Sequence, residues 1–350
     1  MDRKFYLELA KSGLRMPIGT DLALHQQPDV NAVLLDGRRL GEVMAQTART
    51  WNTPLCLALM DLALEKDLIL DRLGVPVTER EQFHFAEAPT PEQVDTVTRG
   101  KMGSITPRLR ANAGALGYVA QNTSLLPVGM SIGPFSLMTK LLADPITPVY
   151  MAGAGSTAAD DPEVALVETV LELGTRIILE SLEVQAQAGA KGIVIAEPAA
   201  NCSYFSPKQL ATGTDIYERY VMVFNRRVAR RCKELGLDLI FHCCGELTND
   251  MVKLFGTLDP MILTLGSSRK LWEDAALLPK EIVLFGNLPT KRFYSDELVT
   301  LDGVRQQSRE IMQQMKLAGH PHILGSECDV LSVPGSEQTI LAKVRAMVEA

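Results

Sequence analysis

The stretch "LDLIFHCCGEL", residues 237–247, is an apolar run that ends in a histidine and two cysteines. Its first seven residues read as a buried strand, the kind that a parallel sheet covered on both faces requires. A strand of this kind carries its polar residues at one end. The question for the fold is whether other runs repeat the pattern.

They do. Short apolar stretches recur at "PLCLALMD" (54–61), "LPVGMSIG" (126–133), "GIVIAEP" (192–198), "MILTLG" (261–266), "IVLFGN" (282–287) and "HILGSEC" (322–328), with a less regular one at "MPIGTDL" (16–22). Between them lie amphipathic segments such as 162–190 and 215–236, each ending near a glycine. Eight strands alternating with helices over 350 residues predict a single (β/α)8 TIM barrel. The segment 62–125, rich in charge and turn residues, reads as an insertion after the second strand. The domain expectation is therefore one barrel over 1–350.

Composition narrows the function. The net charge is -7, which offers no basic surface for nucleic acid or anionic membranes. The start, "MDRKFYLELAKSGLRM", carries charges where a secretory segment needs an apolar core. The run "PLCLALMDLALEKDLIL" is interrupted by Asp61, Glu65, Lys66 and Asp67, so no bilayer span is expected. Six cysteines without regular spacing fit free thiols or metal ligands in a cytoplasmic protein.

Polar residues gather where the strands end: Asp61, Glu197, His242, Cys244, Asn287, Glu327 and Cys328. In such a barrel that face carries the active site. Side chains alternate along a strand, so His242 and Cys244 point one way and Cys243 the other. Cys328, at the end of the last strand, is the candidate third ligand. One histidine and two thiolates suit zinc and leave a tetrahedral ion one ligand short. The competing reading makes His242 a hydrogen-bonded core residue and the cysteines small apolar side chains.

Several stretches resemble one known family. "FHCCGE" with the late cysteine of "LGSECDV" is similar to the H-x-C…C zinc motif of the methylcobalamin:coenzyme M methyltransferases, the corrinoid-linked branch of the uroporphyrinogen decarboxylase superfamily. "MDLALEKDLILDRLG" (60–74), "SIGPFSLMTKLL" (131–142), "IAEPAANCSYFSPKQL" (195–210) and "VPGSEQTILAKVRAMVEA" (333–350) carry the resemblance across nearly the whole chain. It implies a barrel of the uroporphyrinogen decarboxylase type, zinc on His242, Cys244 and Cys328, and methyl transfer involving a corrinoid (cobalamin) on a partner protein. Two chemistries fit. A small methylated donor such as a methyl ether can be demethylated onto the corrinoid protein, the reading favoured here, or a coenzyme M-like thiol can accept the methyl group. Decarboxylation of an acidic tetrapyrrole is a third alternative, weakened because "SGLRMPIGTDL" offers Arg15 alone as a cation. A non-catalytic docking module for the corrinoid protein is a fourth.

Other residues complete the expectations. Glu197 is a candidate fourth ligand or orienting group, with helix capping as the competing role. Asp61 and Asn287 are candidate substrate-binding residues. "GAGSTA" (153–158) matches a dinucleotide fingerprint by letters but follows no strand. Arg226, Arg227, Arg230 and Arg231 read as a solvated helix face, His320 and His322 as structural, and Cys56, Cys202 and Cys232 as packing residues.

Overall fold

Each of the eight apolar runs forms a strand in the computed structural model, which describes residues 1–99 and 105–350. They are β1 (Arg15–Ile18), β2 (Leu55–Leu57), β3 (Leu126–Ile132), β4 (Gly192–Ala196), β5 (Asp238–Cys243), β6 (Ile262–Leu265), β7 (Val283–Phe285) and β8 (His322–Asp329). All seven ladders are parallel, in the order β1-β8-β7-β6-β5-β4-β3-β2. Helices fill the connections, and the result is a nearly closed (β/α)8 barrel. Met16, Ile18, Leu55, Leu57, Val194, Ile240, Ile262 and Phe285 point inward and line its interior.

β1 and β2, which flank the seam, are shorter than the sequence suggests, and so is β7. β1 gives way after Ile18 to the helix Thr20–Leu24, and β2 stops at Leu57 rather than running to Asp61. Neither pairs with the other, so each has one ladder partner to hold it extended. Side chains bridge the gap: Thr20 Oγ1 donates to Leu57 O at 2.9 Å, and Thr53 Oγ1 reaches Met16 Sδ at 3.1 Å.

The helices follow local rules. Pro162–Ala188 is capped by Asp161, whose carboxylate accepts from Glu163 and Val164 N–H. Pro162 opens it, and Gly189 at φ 111° closes it in the left-handed conformation that glycine tolerates. Val167, Val170, Leu171 and Ile178 are buried along it. No described helix is long and apolar enough to cross a membrane. Between β2 and β3 lie the helices Leu64–Arg72, Pro91–Thr98 and Pro107–Asn122. The insertion read over 62–125 also takes in residues 100–104, which lie outside the described residues. "GAGSTA" follows the helix Ile146–Gly153 and precedes Pro162–Ala188, with no strand before it.

Candidate metal centre

β5 delivers the first two side chains of the cluster. His242 pairs with Ala196 of β4 on one side and Thr264 of β6 on the other. Its ring is 1% exposed, and Nδ1 lies 2.8 Å from Thr264 Oγ1. The other nitrogen, Nε2, is buried without a hydrogen-bond partner. A buried polar atom of this kind costs stability unless something occupies its lone pair. Cys244 follows two residues on. Cys243, between them, is fully buried on the other side, its Sγ 3.8 Å from Ala200 O.

Cys328 arrives by a different device. Gly325 of β8 faces the interior, where an added Cβ would sit 2.4 Å from Phe285 Cζ. Strict alternation from Gly325 would send Cys328 outward. The β1–β8 register shifts here, Met16 pairing with Gly325 and Ile18 with Asp329. This irregularity re-aims the strand end, as bulges do. One ligand atom each from His242, Cys244 and Cys328 then lies within 4.8 Å of the others. Met60, just beyond β2, places Sδ 4.0 Å from Cys328 Sγ.

The two thiols are shifted in opposite directions. Hydrogen bonding from Cys328 draws the Cys244 thiol down against the opposing effect of burial, helped by His242 and Lys291. The hydrogen bond to Cys244, with burial, pushes Cys328 up. Lys291 sits on the turn Thr290–Arg292 after β7. Burial works against its ammonium, but Cys244 and Cys328 outweigh that and hold it charged. A nitrogen and two sulfurs, with Nε2 unpartnered, form a donor set suited to zinc and one ligand short of a tetrahedron. The hydroxyl of Thr264 fixes the ring orientation from behind.

The remaining expected residues lie around this cluster rather than in it. Glu197 is fully buried, with Oε1 accepting from Ser136 N at 2.6 Å and Oε2 from Asn225 Nδ2 at 3.0 Å. Its carboxylate therefore caps the helix Pro134–Leu141, and the structure does not bring it to the three ligand atoms, contrary to the role of fourth ligand. The cause is strand parity: Ala196 stands opposite His242, so the next residue turns outward. Burial raises the Glu197 carboxyl to about 7, against the hydrogen bonds that lower it. Asp61 is ion-paired to Arg108 and also accepts from Ala63 N. Asn287 donates to Gly266 O at 2.8 Å and Arg269 O at 2.9 Å, tying down the loop after β6. Gly266 in that loop packs on the Cys244 backbone, where a Cβ would meet Cys244 O at 2.6 Å. Glu327 accepts from Ser267 N in the same loop.

Thr264, Lys291, Met60 and Arg108 escaped the sequence reading. Thr264 left a trace, a lone hydroxyl in "MILTLG", whereas Lys291 and Arg108 are ordinary charges on a loop and a helix. Three of the four arginines read as a solvated helix face pair with acids: Arg226 with Glu218, Arg227 with Glu172, and Arg231 with Glu183 and Glu234. His320 and His322 hydrogen-bond to Ile282 O and Gly286 O.

Comparison with known proteins agrees with this architecture. The chain is 23% identical over 149 residues to the methylcobamide:CoM methyltransferase MtbA of Methanosarcina acetivorans, covering 40% of this chain and 39% of the relative. It is 26% identical over 127 residues to MtbA of Methanosarcina mazei, covering 36% and 32%. The matched stretches thus span well under half of either relative. A solved methyltransferase from Methanosarcina mazei shares the fold with a TM-score of 0.69 at 14% identity, over 99% of this chain and 98% of that one. The profile of the uroporphyrinogen decarboxylase (URO-D) family matches residues 68–350, from the helix after β2 through β8 and the end that bears Cys328. With eight parallel strands, and with that match covering most of its length, the chain belongs to the uroporphyrinogen decarboxylase family.

Proposed function

We propose that this chain is a zinc-dependent methyltransferase that works with a corrinoid carried on a partner protein. The observation carrying this reading is the convergence of His242, Cys244 and Cys328 at the mouth of the barrel, with His242 Nε2 left without a protein partner. A zinc ion there would supply Lewis acidity to a small substrate on its open side, while the two thiolates keep the site electrically neutral. His242 contributes Nε2, with Nδ1 held by Thr264. Cys244 and Cys328 contribute sulfur. The likeness to methylcobamide:CoM methyltransferases supports a corrinoid as the other participant. Asp61, ion-paired to Arg108 and next in the chain to Met60, would contribute to the substrate wall, and Asn287 would act by holding the loop behind Cys244.

Decarboxylation gains nothing from these residues. Arg15, the only cation of its segment, donates to Val348 O at 3.2 Å and to Ala350 O, at the strand end opposite the mouth. Metal analysis after exchange against a chelator tests the proposal first. About one zinc per chain is expected, and full activity in metal-free protein would defeat the mechanism. Mixing the protein with methylcobalamin and candidate thiols, followed by absorbance, then reads transfer directly.

A further inference from the structure

None of the three ligands belongs to β6, yet residues 264–269, its end and the loop after it, stand beside each of them. Thr264 Oγ1 lies 2.8 Å from His242 Nδ1. Gly266 leaves room for the Cys244 backbone, since a Cβ there would sit 2.6 Å from Cys244 O. Ser267 N–H donates to Oε2 of Glu327, the residue before Cys328, at 2.9 Å. Arg269 closes the loop toward β5 by donating to Leu247 O at 2.9 Å.

Glu327 makes a connection that no ladder can. β8 pairs with β7 and not with β6, so the Glu327 side chain reaches past one whole strand to the loop after β6. Backbone fixes the near end of this reach. Glu327 N–H donates to Leu288 O at 2.9 Å, Leu288 N–H donates to Gly325 O at 2.9 Å, and Ser326 Oγ accepts from Ile18 N at 2.9 Å. Its far end is fixed by Ser267. Glu327 is 5% exposed, and a carboxylate held so far from water needs such a donor. The brace acts where it is needed, because the irregular β1–β8 register leaves the direction of Cys328 to something other than alternation.

We propose that Glu327 is a positioning residue: it braces the Cys328 end of β8 to the loop behind Cys244, so that the two thiols are held together before a metal arrives. The effect on zinc rests on the metal reading above, whereas the brace itself does not. A backbone N–H asks only for an acceptor oxygen, and the amide of a glutamine supplies one as well as a carboxylate does. Alanine supplies none and leaves Ser267 N–H without its acceptor.

The test treats chelator-stripped wild type, Glu327→Ala and Glu327→Gln with dibromobimane, which becomes fluorescent on joining two neighbouring thiols. Cys244 and Cys328 are both partly exposed, and peptide mapping identifies the link between them. Wild type and Glu327→Gln should form it, and Glu327→Ala should lose most of it. In the zinc-loaded proteins, chelator competition should show affinity about 10- to 100-fold lower in Glu327→Ala and restored in Glu327→Gln. Should Glu327→Ala not fold, Glu327→Asp, whose carboxyl stops one methylene short, carries the same expectation. Wild-type cross-linking in Glu327→Ala, or a Glu327→Gln as defective as Glu327→Ala, would overturn the inference. The expected order of cross-linking in a protein that takes up no zinc would uphold the brace and overturn the metal reading alone.

Discussion

His242 and Thr264 face each other across the β5–β6 ladder, with Nδ1 and Oγ1 2.8 Å apart. When Nδ1 carries the ring proton and Thr264 accepts it, the Nε2 lone pair is directed at the two thiols. Thr264→Val keeps the shape and removes the acceptor. Zinc affinity is expected to fall about 10- to 100-fold, read by competition with a chromogenic chelator. Unchanged affinity would show that the hydroxyl does not orient the ring.

The adjacent cysteines separate cleanly by face. Cys244→Ala and Cys328→Ala should each lose most of the bound zinc, whereas Cys243→Ala should retain it. Cys243 fills space behind β5, so its loss should cost about 1–2 kcal/mol of stability through a small cavity. Metal content and thermal unfolding, measured on all three variants, make the comparison. Zinc loss in Cys243→Ala would contradict the assignment.

Gly266 and Asn287 act on the centre from behind. A methyl group at Gly266 would collide with the Cys244 carbonyl, so Gly266→Ala should displace Cys244 and weaken zinc binding. Asn287→Ala removes both hydrogen bonds to the loop after β6 and is expected to cost about 1–3 kcal/mol, with faster zinc release to a chelator. Metal release at the wild-type rate in both variants would separate this loop from the site.

Glu65 and Glu197 give stability a pH dependence of known sign. Burial raises each carboxyl from 4.5 to about 7, although Ser131 and Ser181 donate to Glu65 and Ser136 and Asn225 to Glu197. Below the unfolded value both states hold the proton, and nothing is lost. Between 4.5 and about 7 the unfolded chain releases its proton first, so stability falls as pH rises, and above 7 the loss is complete. Glu65→Gln should flatten part of this decline and raise stability at alkaline pH by on the order of 1–3 kcal/mol. Denaturant unfolding across the range reads it, and an unchanged slope would exclude Glu65 as a source. Glu197→Gln should leave zinc content intact, because that carboxyl caps a helix.

The barrel was legible because its strands are nearly continuous apolar runs, a pattern that burial on both faces imposes. The ends of β1, β2 and β7 were less so: β1 and β2 each have one ladder partner, whereas β7 is paired on both sides and still keeps only 3 residues of its run. At the site, alternation separates His242 and Cys244 from Cys243, and the same rule applied to β4 turns Glu197 away from the interior. Alternation alone misplaces Cys328, whose direction depends on the irregular β1–β8 register. Asp61 reads as a free strand-end acid, but Arg108, far along the chain, occupies it. Lys291 gave no signal, because it lies on the turn after β7, away from any apolar run.

The gap between β1 and β2 gives the barrel a clasp. Seven joints of its wall are backbone ladders, while the eighth is held by Thr20 on Leu57 and Thr53 on Met16. A side-chain clasp can open without unzipping a ladder, so the wall is weakest along this line. Met60, on the same side, places its Sδ 4.0 Å from Cys328 Sγ. Loosening at the clasp therefore reaches the cluster by way of one flexible thioether, and the ring is most easily widened beside Cys328.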